Sequence, residues 1–81
     1  MITAYVLLRV KPGMDKDVFV NVKKLPQVKE AVVVYGEYDL LVRTELPSLE
    51  DLDSFIFDTM RMISGVESST TLIKIKKPSK G

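Results

Sequence analysis

The segment VKEAVVVYGEYDLLVRT, residues 28–44, contains two stretches typical of β-strands on either side of a tight turn. The first stretch, Val28 to Tyr35, is rich in β-branched valines. The second, Asp39 to Thr44, follows after only Gly36-Glu37-Tyr38. Because two strands joined by so short a link must run in opposite directions, the segment predicts an antiparallel hairpin in the middle of the chain.

The residues before the hairpin predict a strand followed by a helix. From Ile2 to Val10, apolar side chains alternate with others, so one face of the strand is wholly apolar. Its second face carries Tyr5 and Leu7 among polar neighbours. From Asp15 onward the apolar residues recur at helical spacing, and Pro26 ends the helix.

The residues after the hairpin predict a second helix and a last strand. Ser48 is placed to cap the helix, and Asp51 to return a capping-box-like bond. Gly65 supplies a left-handed stop, and the last strand is predicted from Val66 to Lys76. The buried stripe of the second helix is predicted to consist of Leu49, Leu52, Phe55, Ile56, Met60 and Ile63.

The predicted order of elements is that of an α+β, ferredoxin-like βαββαβ domain. Right-handed crossovers place both helices on one face of a four-stranded antiparallel sheet and leave the other face open. A domain of about 80 residues with no disulfide or metal has little stability to spare. We therefore expect a second copy to cover the open face, giving a dimeric α/β sandwich with Tyr5 and Leu7 at the oligomer interface.

Composition removes several function classes. The 81-residue chain contains no Cys and no His. This excludes disulfides, thiolate nucleophiles and zinc–thiolate sites, and it removes the side chain that most often shuttles protons or binds metals near neutral pH. We predict no catalytic residue, metal site or cofactor. The apolar runs are far shorter than the ~20 residues of a membrane helix, and the first strand has no charged leader before it, so a soluble, cytoplasmic protein is expected.

The basic residues are concentrated at the C-terminal end. Of 12 Lys and Arg, four lie in the last eight positions, which leaves 8 basic against 11 acidic residues before them. Four lysines on duplex phosphates would make only a weak, nonspecific contact, so direct DNA binding is not expected. We expect residues 1–76 to form the domain and residues 77–81 a flexible basic tail. The four lysines are Lys74, Lys76, Lys77 and Lys80.

Two motifs carry a resemblance to a known family. The first is the G-x-Y-D turn from Gly36 to Asp39, and the second is the I-x-G-V-x-x-[ST]-x-T segment from Ile63 to Thr71. With Val28-Lys29-Glu30 at the start of the hairpin, they resemble the C-terminal RAM domain of Lrp/AsnC regulators, the module for regulation of amino-acid metabolism. Members usually carry an N-terminal helix-turn-helix domain. Here the first strand begins at Ile2, so the chain resembles stand-alone RAM proteins.

The resemblance implies a function and a site. In the family, RAM domains dimerise through their sheets, dimers assemble into rings, and a free amino acid binds near the G-x-Y-D turn where dimers meet. It implies a homo-oligomeric regulatory module that binds a small amino-acid effector and modulates transcription, with full-length Lrp/AsnC regulators as candidate partners for co-assembly. The ligand-binding residues that it implies are Gly36, Glu37, Tyr38, Asp39, Ser69 and Thr71.

The chemistry of the turn is compatible with this role. An amino acid needs donors for its carboxylate and acceptors for its ammonium group. Successive N–H groups around Gly36 and Glu37 can form an anion-binding concavity, and Asp39 or backbone carbonyls can accept from the ammonium group. The alternative is purely structural: Asp39 is a turn residue that bonds its own backbone, and Gly36 is present only for its positive φ.

Two other functions stay open at this point. Paired ferredoxin-like sheets of the dimeric α+β barrel type also host small enzymes, for which Arg9 and Arg43 are the candidate anion ligands. RNA-recognition motifs share the topology and stack bases on aromatics of the open face, where the first strand offers only Tyr5. Several acids are interpreted as helix-surface charges without a chemical role, namely Asp15, Asp17, Asp51, Asp53 and Asp58.

Overall fold

The computed structural model describes residues 1–75 and contains four strands and two helices within them. A short 3-10 turn at Met60–Met62 follows the second helix. The predicted tail, residues 77–81, and the predicted strand end at Lys76 lie outside the described residues. The elements are β1 (Ile2–Val10), α1 (Asp15–Lys23), β2 (Val28–Val33), β3 (Leu40–Leu46), α2 (Leu49–Asp58) and β4 (Val66–Ile73).

The strands form one sheet in the order β2-β3-β1-β4, and every neighbouring pair is antiparallel. The ferredoxin-like α+β prediction is therefore confirmed. The central strand is β1, in which Val6 pairs with Val42 of β3 on one side and with Thr71 of β4 on the other. The covering of the open face by a second copy stays a prediction.

The hydrophobic core lies between the sheet and the two helices. Alternate residues of β1 face the helices and are fully buried, as the apolar alternation predicts: Ala4, Val6 and Leu8. One polar side chain, Thr44, is buried with them. Its hydroxyl donates to the Gln27 carbonyl at 2.6 Å, so this buried polar group has a hydrogen-bond partner. The helices contribute Val18, Val22, Leu52, Phe55 and Ile56.

The second helix departs from its prediction at its N-terminal end. Ser48 is its N-cap and accepts from the Asp51 N–H at 3.2 Å, but the Asp51 carboxylate accepts from the Ser48 hydroxyl rather than from its N–H. The buried stripe was predicted to begin at Leu49, and this is wrong. Leu49 is 53% exposed because it is the first residue of α2, at the free end of the helix, one turn outside the buried cluster.

Two strands are shorter than the sequence predicts. β2 ends at Val33 rather than at Tyr35, and β4 ends at Ile73. Gly65 has φ of +99°, which confirms the predicted left-handed position before β4. Neither helix within residues 1–75 has the length and apolar character needed to span a bilayer.

Candidate functional site

The turn between β2 and β3 is the G-x-Y-D segment. The Val34 N–H donates to the Asp39 carbonyl at 3.0 Å, which closes a loop over residues 35–38. Gly36 has φ of +132°, a conformation that disfavours any residue with a side chain. A Cβ at Gly36 would meet no atom within 4 Å, so the space around the turn is open. The glycine therefore serves the backbone conformation of the turn and leaves room beside it.

Asp39 connects the turn to the central strand. Backbone pairing between β1 and β3 ends at Leu8 and Leu40. Beyond that pair, the Asp39 N–H donates to the Leu8 carbonyl at 2.8 Å, and Asp39 Oδ2 accepts from the Val10 N–H at 2.8 Å. The carboxylate thus satisfies the next donor of β1, in a distant strand, rather than the backbone of its own turn. Its other oxygen, Oδ1, accepts no hydrogen bond from residues 1–75.

Replacing Asp39 with alanine is expected to destabilise the protein by about 1–3 kcal/mol, because the half-buried Val10 N–H loses its acceptor. Asp39→Asn keeps an oxygen at this place, so its loss is expected to be clearly smaller. Urea denaturation at fixed protein concentration measures both. Equal unfolding midpoints for Asp39→Ala and the wild type would show that this hydrogen bond contributes nothing.

The loop presents a row of unpaired donors. Within residues 1–75, no hydrogen bond uses the N–H groups of Tyr35, Gly36, Glu37 or Tyr38. Successive free N–H groups in such a turn attract an anion, since each contributes a partial positive charge. These N–H groups are therefore free to donate to an acceptor from outside residues 1–75.

An open groove of about 510 Å³ lies beside this loop. Gly36 and Asp39, two of the predicted ligand residues, line it. Asp15, the first residue of α1, also lines it, although the sequence pattern indicates only a helix-surface charge at this position. No sequence signal distinguished Asp15 from the other acids, because only the fold brings the start of α1 to the β2–β3 turn. The remaining lining residues are Val33, Val34 and Tyr35.

Tyr38 lies on the open face of the sheet. Its hydroxyl shares a 3.3 Å hydrogen bond with the Thr70 hydroxyl, and the Arg9 guanidinium carbon lies 5.6 Å from the centre of its ring. Thr70 pairs with Leu7 across the β1–β4 ladder. The turn therefore sends Tyr38 to the open face, whereas Asp39 lines the groove. Glu37 is exposed.

Ser69 and Thr71 lie elsewhere in the chain. They pair with Leu8 and Val6 of β1, so they share the helix-facing side of the sheet. They line a second groove of about 290 Å³ between β4 and α2. The structure does not bring these two residues to the turn within one chain, because β1 separates β4 from β3 in the sheet.

The open face carries an apolar patch centred on the predicted interface residues. Tyr5 and Leu7 are both half-buried there. Leu7 pairs with Leu41 of β3, and Tyr5 pairs with Leu72 of β4, which is 53% exposed. We call this set the open-face patch: Tyr5, Leu7, Val32, Leu41 and Leu72.

A three-residue ion cluster borders the open-face patch. Arg43 Nε lies 3.5 Å from Glu30 Oε1, and Arg43 Nη1 lies 3.3 Å from Glu45 Oε2. Arg43, one of the candidate anion ligands of the enzyme hypothesis, is thus already paired with two carboxylates. Within the part of the chain that the structure describes, no three His, Cys, Asp or Glu side chains are grouped to hold a metal ion.

Comparison with known proteins finds a matching family model and longer relatives that share this domain. The family model described as the Lrp/AsnC ligand binding domain matches residues 3–81. The chain is 34% identical over 73 residues to the HTH-type transcriptional regulator FL11 of Pyrococcus horikoshii, covering 90% of this chain and 48% of FL11. The chain thus spans about half the length of the curated relatives it matches.

Solved structures share the fold. The crystal structure of FFRP-DM1 superposes with a TM-score of 0.90 at 41% identity, covering 93% of this chain and 100% of that chain. The Neisseria meningitidis transcriptional regulator NMB0573, crystallised as a complex with L-Met, gives a TM-score of 0.85 at 20% identity, covering 94% of this chain and 51% of that chain. The second likeness shows the fold alone.

Proposed function

The chain belongs to the Lrp/AsnC family through its ligand-binding domain, and from this we propose that it is a regulatory module that binds a small free amino acid and modulates transcription. The observation that carries the proposal is the β2–β3 loop, in which Tyr35 and Gly36 have unpaired N–H groups and line an open groove. The α-carboxylate of the ligand binds these N–H groups, and Asp39 Oδ1 accepts from its ammonium group.

A neighbouring copy completes the site. The groove beside the turn is open on one side, and a small polar ligand is held well only where water is largely excluded. Ser69 and Thr71 lie in the other groove of the same chain. They reach the ligand only if they come from an adjacent copy. The L-Met complex of NMB0573, a protein of the same fold, supports an amino acid as the class of ligand.

Assembly proceeds through the open-face patch. Covering this surface with an identical surface buries apolar side chains that a monomer leaves partly in water. The resulting dimers associate into rings, and co-assembly with full-length Lrp/AsnC regulators is the proposed route to transcription. FL11, which is named as an HTH-type regulator, is an example of the longer relatives.

The relatives give no support to the enzyme alternative. The matched curated proteins are transcriptional regulators, and Arg43 is committed to Glu30 and Glu45. The match to a ligand-binding domain over residues 3–81 also favours the regulatory function over recognition of RNA.

Calorimetric titration with the common amino acids tests the proposal. We expect at least one to bind the wild type, and Gly36→Ala to weaken that binding about tenfold because a side chain strains the turn. Gly13→Ala is the matched control, since Gly13 also has a positive φ, of +84°, and equally open surroundings, but lies in a different turn. We expect this control to bind like the wild type.

Two results would count against the proposal. If no common amino acid binds while the assembly is intact, the sensing function is wrong. If Gly13→Ala weakens binding as much as Gly36→Ala, the loss reflects general strain rather than a role for the β2–β3 turn.

A further inference from the structure

The open-face patch contains a small hollow of about 60 Å³. Tyr5, Val32 and Leu41 form its apolar walls, and the ion-paired Arg43 and Glu30 complete its lining. The hollow is centred over β3, because its lining residues come from β1, β2 and the strand between them. Its volume is about twice that of one water molecule. The hollow therefore accepts the end of an aliphatic side chain but not a whole free amino acid.

An exposed apolar side chain lies on the other side of β1. Leu72 of β4 is 53% exposed, the highest exposure within the open-face patch. It pairs with Tyr5, and Tyr5 pairs on its other side with Arg43 of β3. Leu72 and the hollow therefore lie at one level along the strands, one strand to either side of β1. Leu72 cannot fill the hollow of its own chain, because β1 separates the two.

The next level along the strands carries opposite charges on the two sides of β1. The ion cluster that includes Glu45 of β3 combines two carboxylates with one guanidinium, so its net charge is −1. On the other side, Lys74 follows Leu72 by two positions, which places it on the same face. The Lys74 N–H donates to the Thr3 carbonyl at 2.8 Å, and Thr3 pairs with Glu45. Within residues 1–75, Lys74 makes no ion pair.

Symmetry determines how a second copy can match these features. Two identical faces meet about a two-fold axis that lies between the sheets. An axis across the strands places β4 of one copy over β4 of the other, which leaves both hollows empty. An axis along the strands, above β1, keeps each level and exchanges the two sides, so that β4 of one copy lies over β3 of the other. Leu72 then meets the hollow of the other copy, and Lys74 meets its Glu45.

We propose that two copies pack their open faces about an axis along β1, with Leu72 of each copy inserted into the hollow of the other and Lys74 of each paired with Glu45 of the other. The inference rests on the proposed assembly through the open-face patch and adds the arrangement of the two copies. Insertion removes Leu72 from water, and Lys74 neutralises the excess negative charge of the ion cluster. The strands of the two sheets are then aligned to within about 30°, as in aligned sheet packing.

Truncation of the inserted side chain tests the apolar contact. We expect Leu72→Ala to raise the dissociation constant of the dimer by about thirtyfold or more, because a symmetric dimer contains the contact twice and buried anchors dominate interface energies. Leu49→Ala is the matched control, since Leu49 is also 53% exposed but lies on α2. It is expected to dimerise like the wild type. Sedimentation equilibrium at several concentrations measures the constants, and circular dichroism checks the fold of each variant.

Charge reversal tests the arrangement independently. Lys74→Glu and Glu45→Lys each place like charges opposite one another, and each is expected to raise the dissociation constant of the dimer about tenfold. The double variant restores opposite charges at both contacts, so we expect its dissociation constant to stay within about threefold of the wild-type value. With an axis across the strands the two residues do not meet, and the effects of the two changes multiply.

The outcomes separate this arrangement from the assembly on which it rests. If Leu72→Ala weakens the dimer no more than Leu49→Ala, or if the effects of the two charge reversals multiply, the arrangement is wrong although the protein is an oligomer. If the wild type has the mass of one subunit, both the arrangement and the proposed assembly are wrong.

Discussion

Replacing Leu7 with glutamate is expected to convert the protein from an oligomer to a monomer while leaving its fold intact. Leu7 lies in the middle of the open-face patch, between Leu41 of β3 and Thr70 of β4. A glutamate there would place a carboxylate among the apolar side chains that the second copy is expected to cover. The dissociation constant of the dimer should rise by about a hundredfold or more, since an unpaired charge in such an interface costs several kcal/mol.

The fold should survive because Leu7 points away from the core. The helix-facing side of β1 is formed by its alternate residues, such as Val6 and Leu8, which the change does not touch. Circular dichroism should therefore give the wild-type spectrum. Leu49→Glu is the matched control: Leu49 is 53% exposed on α2, in the helix layer on the other side of the sheet.

Light scattering during gel filtration distinguishes the variants. We expect Leu7→Glu to elute with the mass of one subunit and Leu49→Glu to retain at least the dimer. A Leu7→Glu variant that keeps the wild-type mass would show that the open-face patch is not the interface.

Replacing Gly65 with alanine is expected to remove a large part of the stability of the domain. Gly65 combines a φ of +99° with tight packing, because a Cβ there would lie 2.9 Å from Val18 Cγ2 and 3.1 Å from Met14 Cε. Its carbonyl also accepts from the Lys11 N–H at 2.8 Å, so the backbone cannot move without breaking a bond. Backbone strain and overpacking together should cost about 2–5 kcal/mol.

A loss of this size matters in a small domain, whose total stability is on the order of 5–15 kcal/mol. Gly13→Ala separates backbone strain from overpacking, since Gly13 has a similar φ but no atom within 4 Å of the added Cβ. It should cost only about 1–2 kcal/mol. Thermal unfolding at matched protein concentration measures both variants, because the stability of an oligomer depends on concentration. Equal losses for the two glycines would contradict the packing role of Gly65.

The strand and helix pattern was accessible from the sequence because one side of each element is buried. The alternation in β1 assigns Ala4, Val6 and Leu8 to the core, and the structure buries all three. The pattern was less informative at the ends of elements. Tyr35 continues the apolar run of β2, but the hairpin closes between Val34 and Asp39, which leaves Tyr35 exposed in the loop.

The candidate site was only partly accessible from the sequence. The G-x-Y-D motif identified Gly36 and Asp39, which line one groove. The sequence did not indicate that Tyr38 packs on the open face. Side chains alternate between two faces in a strand but not in a turn, so the position of Tyr38 in the turn does not predict its face. Asp15 was missed because its place beside the turn depends on how distant segments of the chain pack together. Ser69 and Thr71 share the helix-facing side of β4, and whether they meet the turn depends on a second copy.

The decisive measurement is the mass of the wild-type protein in solution, determined by light scattering at micromolar concentration with and without a panel of amino acids. If the open sheet face is covered by an identical copy, the mass is that of a dimer or of a multiple of dimers, and a binding amino acid shifts or stabilises the larger species. A protein that has the mass of one subunit under all these conditions would show that no second copy covers the open sheet face.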